Sequence, residues 1–173
     1  MKETAEILFE NRFVQTKEIT KEVFFDHYYR RTFYLVADAL LLVAFLINLC
    51  FGHPTSLLGK LFPLLIGGVF WGYKLQSYRG VVNGTINRNS HAVNGGDFVC
   101  RLRATKQGLI YTDNAGSRID FGYGDVARVR CTRQCIVLQS TGGILYVCKK
   151  DAFTTGDAEG FLALLREKNI RGA

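Results

Sequence analysis

Histidine is scarce in this 173-residue chain, with only three. His27 is expected on a surface helix, His53 in a turn and His91 on a polar stalk, so they cannot easily converge. A hydrolase needs a nucleophile, a base and an orienting acid within hydrogen-bond reach. No Gly-x-Ser-x-Gly or comparable element occurs, and no enzymatic activity is expected. Cysteine falls short of a framework: five is an odd number, the spacing is irregular and Cys50 lies in an apolar run, which points to reduced thiols. Cys131 and Cys135, with Cys100 and Cys148, lack the spacing of paired zinc knuckles. Cysteine is among the most buried residue types, so these four are expected to pack as small hydrophobes, and neither metal nor cofactor is expected. The glycine pairs at 95–96 and 142–143 lack the Lys-Ser/Thr ending of a phosphate loop and open no helix. Lys and Arg form no dense stripe and are not interleaved with stacking aromatics, which disfavours nucleic acid. Residues 1–32 hold no isolated apolar core of the kind a secretory signal needs, so the apolar segments that follow are expected to act as their own targeting signals.

What is present begins with a long apolar region between Phe33 and Tyr73. Residues 33–52 carry twelve Leu, Ile, Phe and Val and one charge, Asp38. Twenty residues at about 1.5 Å each match the roughly 30 Å hydrocarbon core. Those side chains favour insertion by about 5 kcal/mol, against about 3 for a central aspartate. Residues 57–73 carry nine more, with Lys60 near the start, where its ammonium can reach outward. Pro63 sits in the second turn, where a missing donor does least harm. Gly67, Gly68 and Gly72 give a small-residue face that is expected to pack on the first helix; a homodimer through Gly68 and Gly72 is the alternative. The connection His53-Pro54-Thr55-Ser56 forces an antiparallel hairpin.

Orientation follows from Arg30, Arg31, Lys74, Arg79 and Arg88, which flank the side holding both termini, against Lys60 near the turn. Both termini are therefore expected to be cytoplasmic. Tyr28, Tyr29, Phe33 and Tyr34, with Trp71, Tyr73 and Tyr78, would form an aromatic belt at that interface. By segment, residues 1–32 are neutral, 33–96 carry +3 and 97–173 carry +4 of the net +7, a distribution that suits a surface facing anionic lipid.

Residues 4–14 alternate weakly, as a strand does. Thr20 reads as the N-cap of an amphipathic helix over 21–31, and 76–94 as a polar helical stalk closed by Asn94-Gly95-Gly96. From Asp97 the pattern becomes short strands between turns, at 98–104, 109–112, 118–121, 125–131, 136–140 and 144–148, a six-strand antiparallel meander. A helix over 157–168 closes it, with Ala158, Phe161, Leu162 and Leu165 as its apolar stripe. The resulting domains are 1–32 (strand and juxtamembrane helix), 33–73 (hairpin), 74–96 (stalk) and 97–173 (β-domain).

This order of elements resembles the YcxB-like family of bacterial two-span membrane proteins. The resemblance rests on Phe121-Gly122-Tyr123-Gly124-Asp125-Val126-Ala127-Arg128-Val129, similar to the family's aromatic-x-Asp-hydrophobic element. It rests also on Ile144 to Phe153 followed by Phe161 to Lys168, similar to its closing strand and helix. Cys148 stands where the family more often has proline. The resemblance implies a pleckstrin-homology-like C-terminal domain, seven strands capped by a helix, and the strand over 4–13 could supply the seventh. It brings no established enzymatic activity.

The expectation is thus an α+β membrane protein in the cell membrane: a two-helix transmembrane hairpin carrying a pleckstrin-like β-meander or barrel with a C-terminal helix, acting as a binding or scaffolding module. The candidate face for anionic lipid headgroups or an acidic protein comprises Arg101, Arg103, Arg128, Arg130, Arg133, Lys149 and Lys150; the competing reading is a solvated face. The rival class is a membrane-bound enzyme or transporter subunit that uses Asp38 and Lys60.

Overall fold

Alternation in the first strand is where the fold begins: apolar Phe9 and Phe13 and buried Asn11 turn inward, Glu10 and Arg12 outward. The structure, a computed structural model, describes residues 6–29, 32–51 and 57–173. The expected turn at 53–56 and the flanking Arg30 and Arg31 lie outside the described residues, as do the side chains of Tyr28, Phe33, Tyr34, Cys50, Lys60 and Pro63. In chain order the elements are β1 (Ile7–Val14), α1 (Lys17–Tyr29), α2 (Thr32–Phe51), α3 (Leu57–Ala92), β2 (Val99–Thr105), β3 (Leu109–Asp113), β4 (Arg118–Phe121), β5 (Val126–Cys131), β6 (Cys135–Ser140), β7 (Leu145–Lys149), β8 (Phe153–Thr155) and α4 (Ala158–Glu167). They form two compact units, one made of the chain up to Val23 together with Ile86 onward, the other of Phe24–Thr85.

The first unit is α+β, but it is not the single meander or pleckstrin-like barrel expected. Its strands form two antiparallel sheets, ordered β4-β3-β2-β1-β8 and β5-β6-β7. Two features separate them. After β4 a short turn redirects the chain: the Asp125 carboxylate accepts the Gly122 N–H at 2.8 Å, and the Tyr123 hydroxyl donates to the Thr105 carbonyl at 2.6 Å. β1 then lies between β2 and the short edge strand β8, antiparallel to both. The N-terminal strand thus belongs to the same sheet as strands more than eighty residues away.

Asn11 joins the two sheets. It is 1 % exposed, and its side-chain amide donates to the Lys149 carbonyl at 2.7 Å while its oxygen accepts the Lys149 N–H at 3.1 Å. One side chain therefore completes the backbone pairing of β7 where no strand lies beside it. Between the sheets, Leu102, Leu109, Leu138 and Tyr146 pack with Phe161 and Leu165 of α4, both fully buried; burial stabilises by roughly 1.5–3 kcal/mol for each such side chain. Asp157 caps α4 by accepting the Gly160 N–H at 2.7 Å. A second cluster gathers Phe13, Ile19, Val23, Cys100, Cys135 and Val137. α1 starts four residues before the expected 21: the Thr16 hydroxyl accepts the Ile19 N–H, and Thr20, expected as the cap, is instead buried in the first turn and donates to the Thr16 carbonyl at 2.9 Å.

The second unit overturns the expected membrane hairpin. Among the described residues, no helix is long and apolar enough to cross a membrane. α2 (Thr32–Phe51) carries the charged Asp38 within its first two turns. α3 is one 36-residue helix rather than a span and a separate stalk, and its described apolar stretch is broken at Lys74. With the spans go the transmembrane description and the multi-pass cell-membrane placement. Asp38 and Lys74 form an ion pair at 3.0 Å, with Lys74 buried and its ammonium over the rings of Tyr29 and Trp71 at 4.7 and 4.6 Å. Among the described residues the glycine face has no close neighbour: a Cβ at Gly67, Gly68 or Gly72 would meet no described atom within 4 Å.

Candidate functional site

Directly opposite residues in an antiparallel pair project from the same face, so register decides which charges meet. Arg12 lies opposite Arg101, Arg101 opposite Thr112, and Thr112 opposite Arg118. One row therefore crosses β1, β2, β3 and β4. Three strand steps of about 4.8 Å separate its ends by about 14 Å. The adjoining row is Glu10, Arg103, Ile110 and Asp120. The intervening Asn11, Leu102 and Tyr111 point the other way, into the core. A tight turn sets Arg118 in the row: the Asp113 carboxylate accepts the Ala115 and Ser117 N–H groups at 3.0 and 2.9 Å, and Gly116 takes a φ of +93°, which suits glycine.

Within the face, the Glu10 carboxylate is shared, 2.8 Å from Arg101 Nε and 3.1 Å from Arg103 Nε. Asp120 holds Arg118 through two hydrogen bonds at 3.1 and 3.0 Å, which pushes the guanidinium pKa up further. Arg12 is exposed, with no carboxylate at ion-pair distance among the described residues. Four guanidinium groups against two carboxylates leave two positive charges in excess. Such a face can bind carboxylate or phosphate oxygens through planar, paired N–H donors.

Of the seven residues expected to form one face, Arg101 and Arg103 belong to it. Arg128 and Arg130 lie on the other sheet, opposite Gln139 and Val137. Arg133 is exposed in the turn between β5 and β6. The Lys150 ammonium donates to the Thr132 carbonyl at 2.6 Å and so closes that turn. Lys149 pairs with Asp151 at 2.9 Å, and its hydrogen bond holds the Asp151 carboxyl below the usual range. The register thus divides the expected face between two sheets. Arg12 and Arg118 are the additions. Alternation in β1 carried a signal for Arg12, whereas its place beside Arg101 depends on a pairing across almost ninety residues.

The buried thiols are unsuited to nucleophilic chemistry. Burial pushes Cys100 and Cys135 up to about 11 and Cys148 higher still, and the nucleophile is the thiolate. Cys100 also lies 3.4 Å from the Tyr111 hydroxyl and 3.5 Å from the Gln15 side-chain oxygen. Among the described residues no group of three or more His, Cys, Asp or Glu could hold a metal ion. No protein-family model, curated protein or solved structure matches this chain.

Proposed function

We propose that this chain is a non-catalytic binding module whose five-stranded sheet receives an acidic segment of another protein. The observation that supports this reading is the face made by the row Arg12–Arg101–Thr112–Arg118 and the adjoining row Glu10–Arg103–Ile110–Asp120, with its excess of two positive charges. A protein segment is favoured over a lipid surface because Glu10, Asp120 and Ile110 interrupt the arginines. A partner with carboxylates at intervals can avoid these acids, and a uniform sheet of anionic headgroups cannot. Kinship with the YcxB-like proteins is part of the proposal, supported by residues 121–129 and 144–153, which here form the turn into β5 and the course of β7.

The test measures binding of a fluorescent hexaglutamate peptide to the full chain and to the double variant Arg12→Gln/Arg118→Gln. Two exposed pairs at roughly 0.7 kcal/mol each give about a tenfold loss of affinity, shrinking as salt is raised. Binding to phosphatidylglycerol vesicles but not to the peptide would replace the protein partner by a headgroup. Binding to neither, or equal binding by the variant, refutes the proposal.

A further inference from the structure

We infer that the open end of the β1 edge is a strand-addition site for an extended peptide in which apolar and acidic residues alternate. This rests on the proposed acidic partner and adds how that partner is held. β1 is eight residues long, whereas its neighbour β8 has three. The Gln15 N–H donates to the Phe98 carbonyl at 2.8 Å and the Arg12 N–H to the Ala152 carbonyl at 3.0 Å. Odd positions therefore direct their backbone toward β2 and even positions toward β8. Pairing on the β8 side stops at Arg12, because the chain before Ala152 turns away, Ala152 donating to the Lys149 carbonyl at 3.1 Å.

Val14, the next even position, is 39 % exposed, and its N–H has no hydrogen-bond partner among the described residues. It borders a cleft of about 510 Å³ whose apolar walls include Phe13, Ile19 and Ala152, a size in the range of ligand sites. The charged groups at the rim are already engaged. The Glu18 carboxylate accepts from its own backbone N–H and from the Thr16 hydroxyl, and Lys149 is held by Asp151. What the cleft leaves unused is a backbone edge and apolar surface, the two elements of recognition by an added strand.

Register then fixes the pattern. A residue opposite Phe13 shares its face and enters the cleft, so it should be apolar. Its neighbour, opposite Val14, projects outward and lies diagonal to Arg12, about 7–8 Å away and within reach of a long side chain. A carboxylate there complements the exposed Arg12 guanidinium.

The probe is a fluorescent acetyl-Val-Glu-Val-Glu-Val-Glu-amide, measured by anisotropy with the full chain, alongside the same peptide N-methylated at alternate residues, which keeps its side chains and removes backbone donors. Saturable binding that falls at least tenfold on N-methylation is expected. So is a comparable loss in Ala152→Trp, which fills the cleft, when its unfolding midpoint matches the parent chain; if that variant does not fold, the N-methylated probe decides alone. No saturable binding, or N-methylated binding within twofold of the parent peptide, overturns the inference. Arg118→Gln, three strands from the edge, separates the two readings. Weakened binding in that variant with indifference to N-methylation removes strand addition and keeps the arginine face. Sensitivity to N-methylation with unchanged binding by Arg118→Gln keeps the edge site and removes the role of the face.

Discussion

Replacing Asn11 by alanine tests how the two sheets are held together. Its carboxamide makes two hydrogen bonds to one residue, to the Lys149 carbonyl at 2.7 Å and from the Lys149 N–H at 3.1 Å, at a position 1 % exposed. Alanine leaves both backbone groups without a partner, and water has little access. A buried donor or acceptor stranded in this way costs about 1–3 kcal/mol, so the pair should cost about 3 kcal/mol in total. At roughly 3–4 °C per kcal/mol for a chain of this size, Tm should fall by about 10 °C. Urea unfolding should show a lower midpoint at unchanged slope, which separates a stability loss from a change in the unfolded state. Amide exchange supplies a local readout, since the Lys149 N–H should lose protection beyond what the global change explains. As a control, Thr154→Ala removes a single exposed bond to the Glu10 carbonyl at 3.3 Å and should cost about 0.5 kcal/mol at most. If Asn11→Ala costs no more than that control, with Lys149 still protected, the idea that one side chain completes the β7 edge is wrong.

Gly156 has a φ of +69°, and an added Cβ would press into the Phe9 ring. Gly156→Ala should therefore cost about 2–4 kcal/mol in urea unfolding, combining left-handed strain with overpacking. Glu18 has its carboxyl pKa lowered by its own backbone N–H and then by the Thr16 hydroxyl. A lowered folded-state pKa contributes stability that is present above the unfolded-state value and is lost as pH falls through the folded one. A carbon-detected NMR titration should place the Glu18 midpoint below the ordinary glutamate value, and Thr16→Val should raise it; no movement on that substitution would remove the hydroxyl from the account.

Local pattern was legible in the sequence and long-range pairing was not. β4 matches its expected bounds of 118–121, and the other strands after Asp97 fall within a residue or so of theirs, because turn residues such as Asp113, Gly116 and Gly143 punctuate the chain. β8 escaped notice because three residues ending in two threonines carry little alternation. The division into two sheets depends on where β1 inserts, which no local window reveals. α3 was divided at Tyr73 because hydropathy changes there, yet backbone conformation continues through the polar half to Ala92. It ends where expected, with Asn94 and Gly95 at φ of +52° and +81° and the Gly95 N–H on the Ser90 carbonyl.

The candidate face shows the same division. Arg101 and Arg103 were placed on one side of their strand by period-two spacing alone, which no register can change. Arg128 and Arg130 obey the same spacing, but sharing a strand face says nothing about which sheet that strand joins. The contribution of Arg12 was hidden for the converse reason, since it is adjacent to Arg101 only through the pairing of β1 with β2. Asp38 was weighed against Lys60 by position along two helices; its partner is Lys74, the first residue past the expected span, which α3 carries on without a break.

The most direct test of the binding face is an amide chemical-shift titration of the isotope-labelled full chain with an acidic peptide. Shifts should concentrate at Arg12, Arg101, Thr112 and Arg118 and diminish as salt is raised. Shifts confined to Arg128, Arg130 and Gln139, or no saturable shifts at all, would contradict the assignment of the anionic partner to the five-stranded sheet.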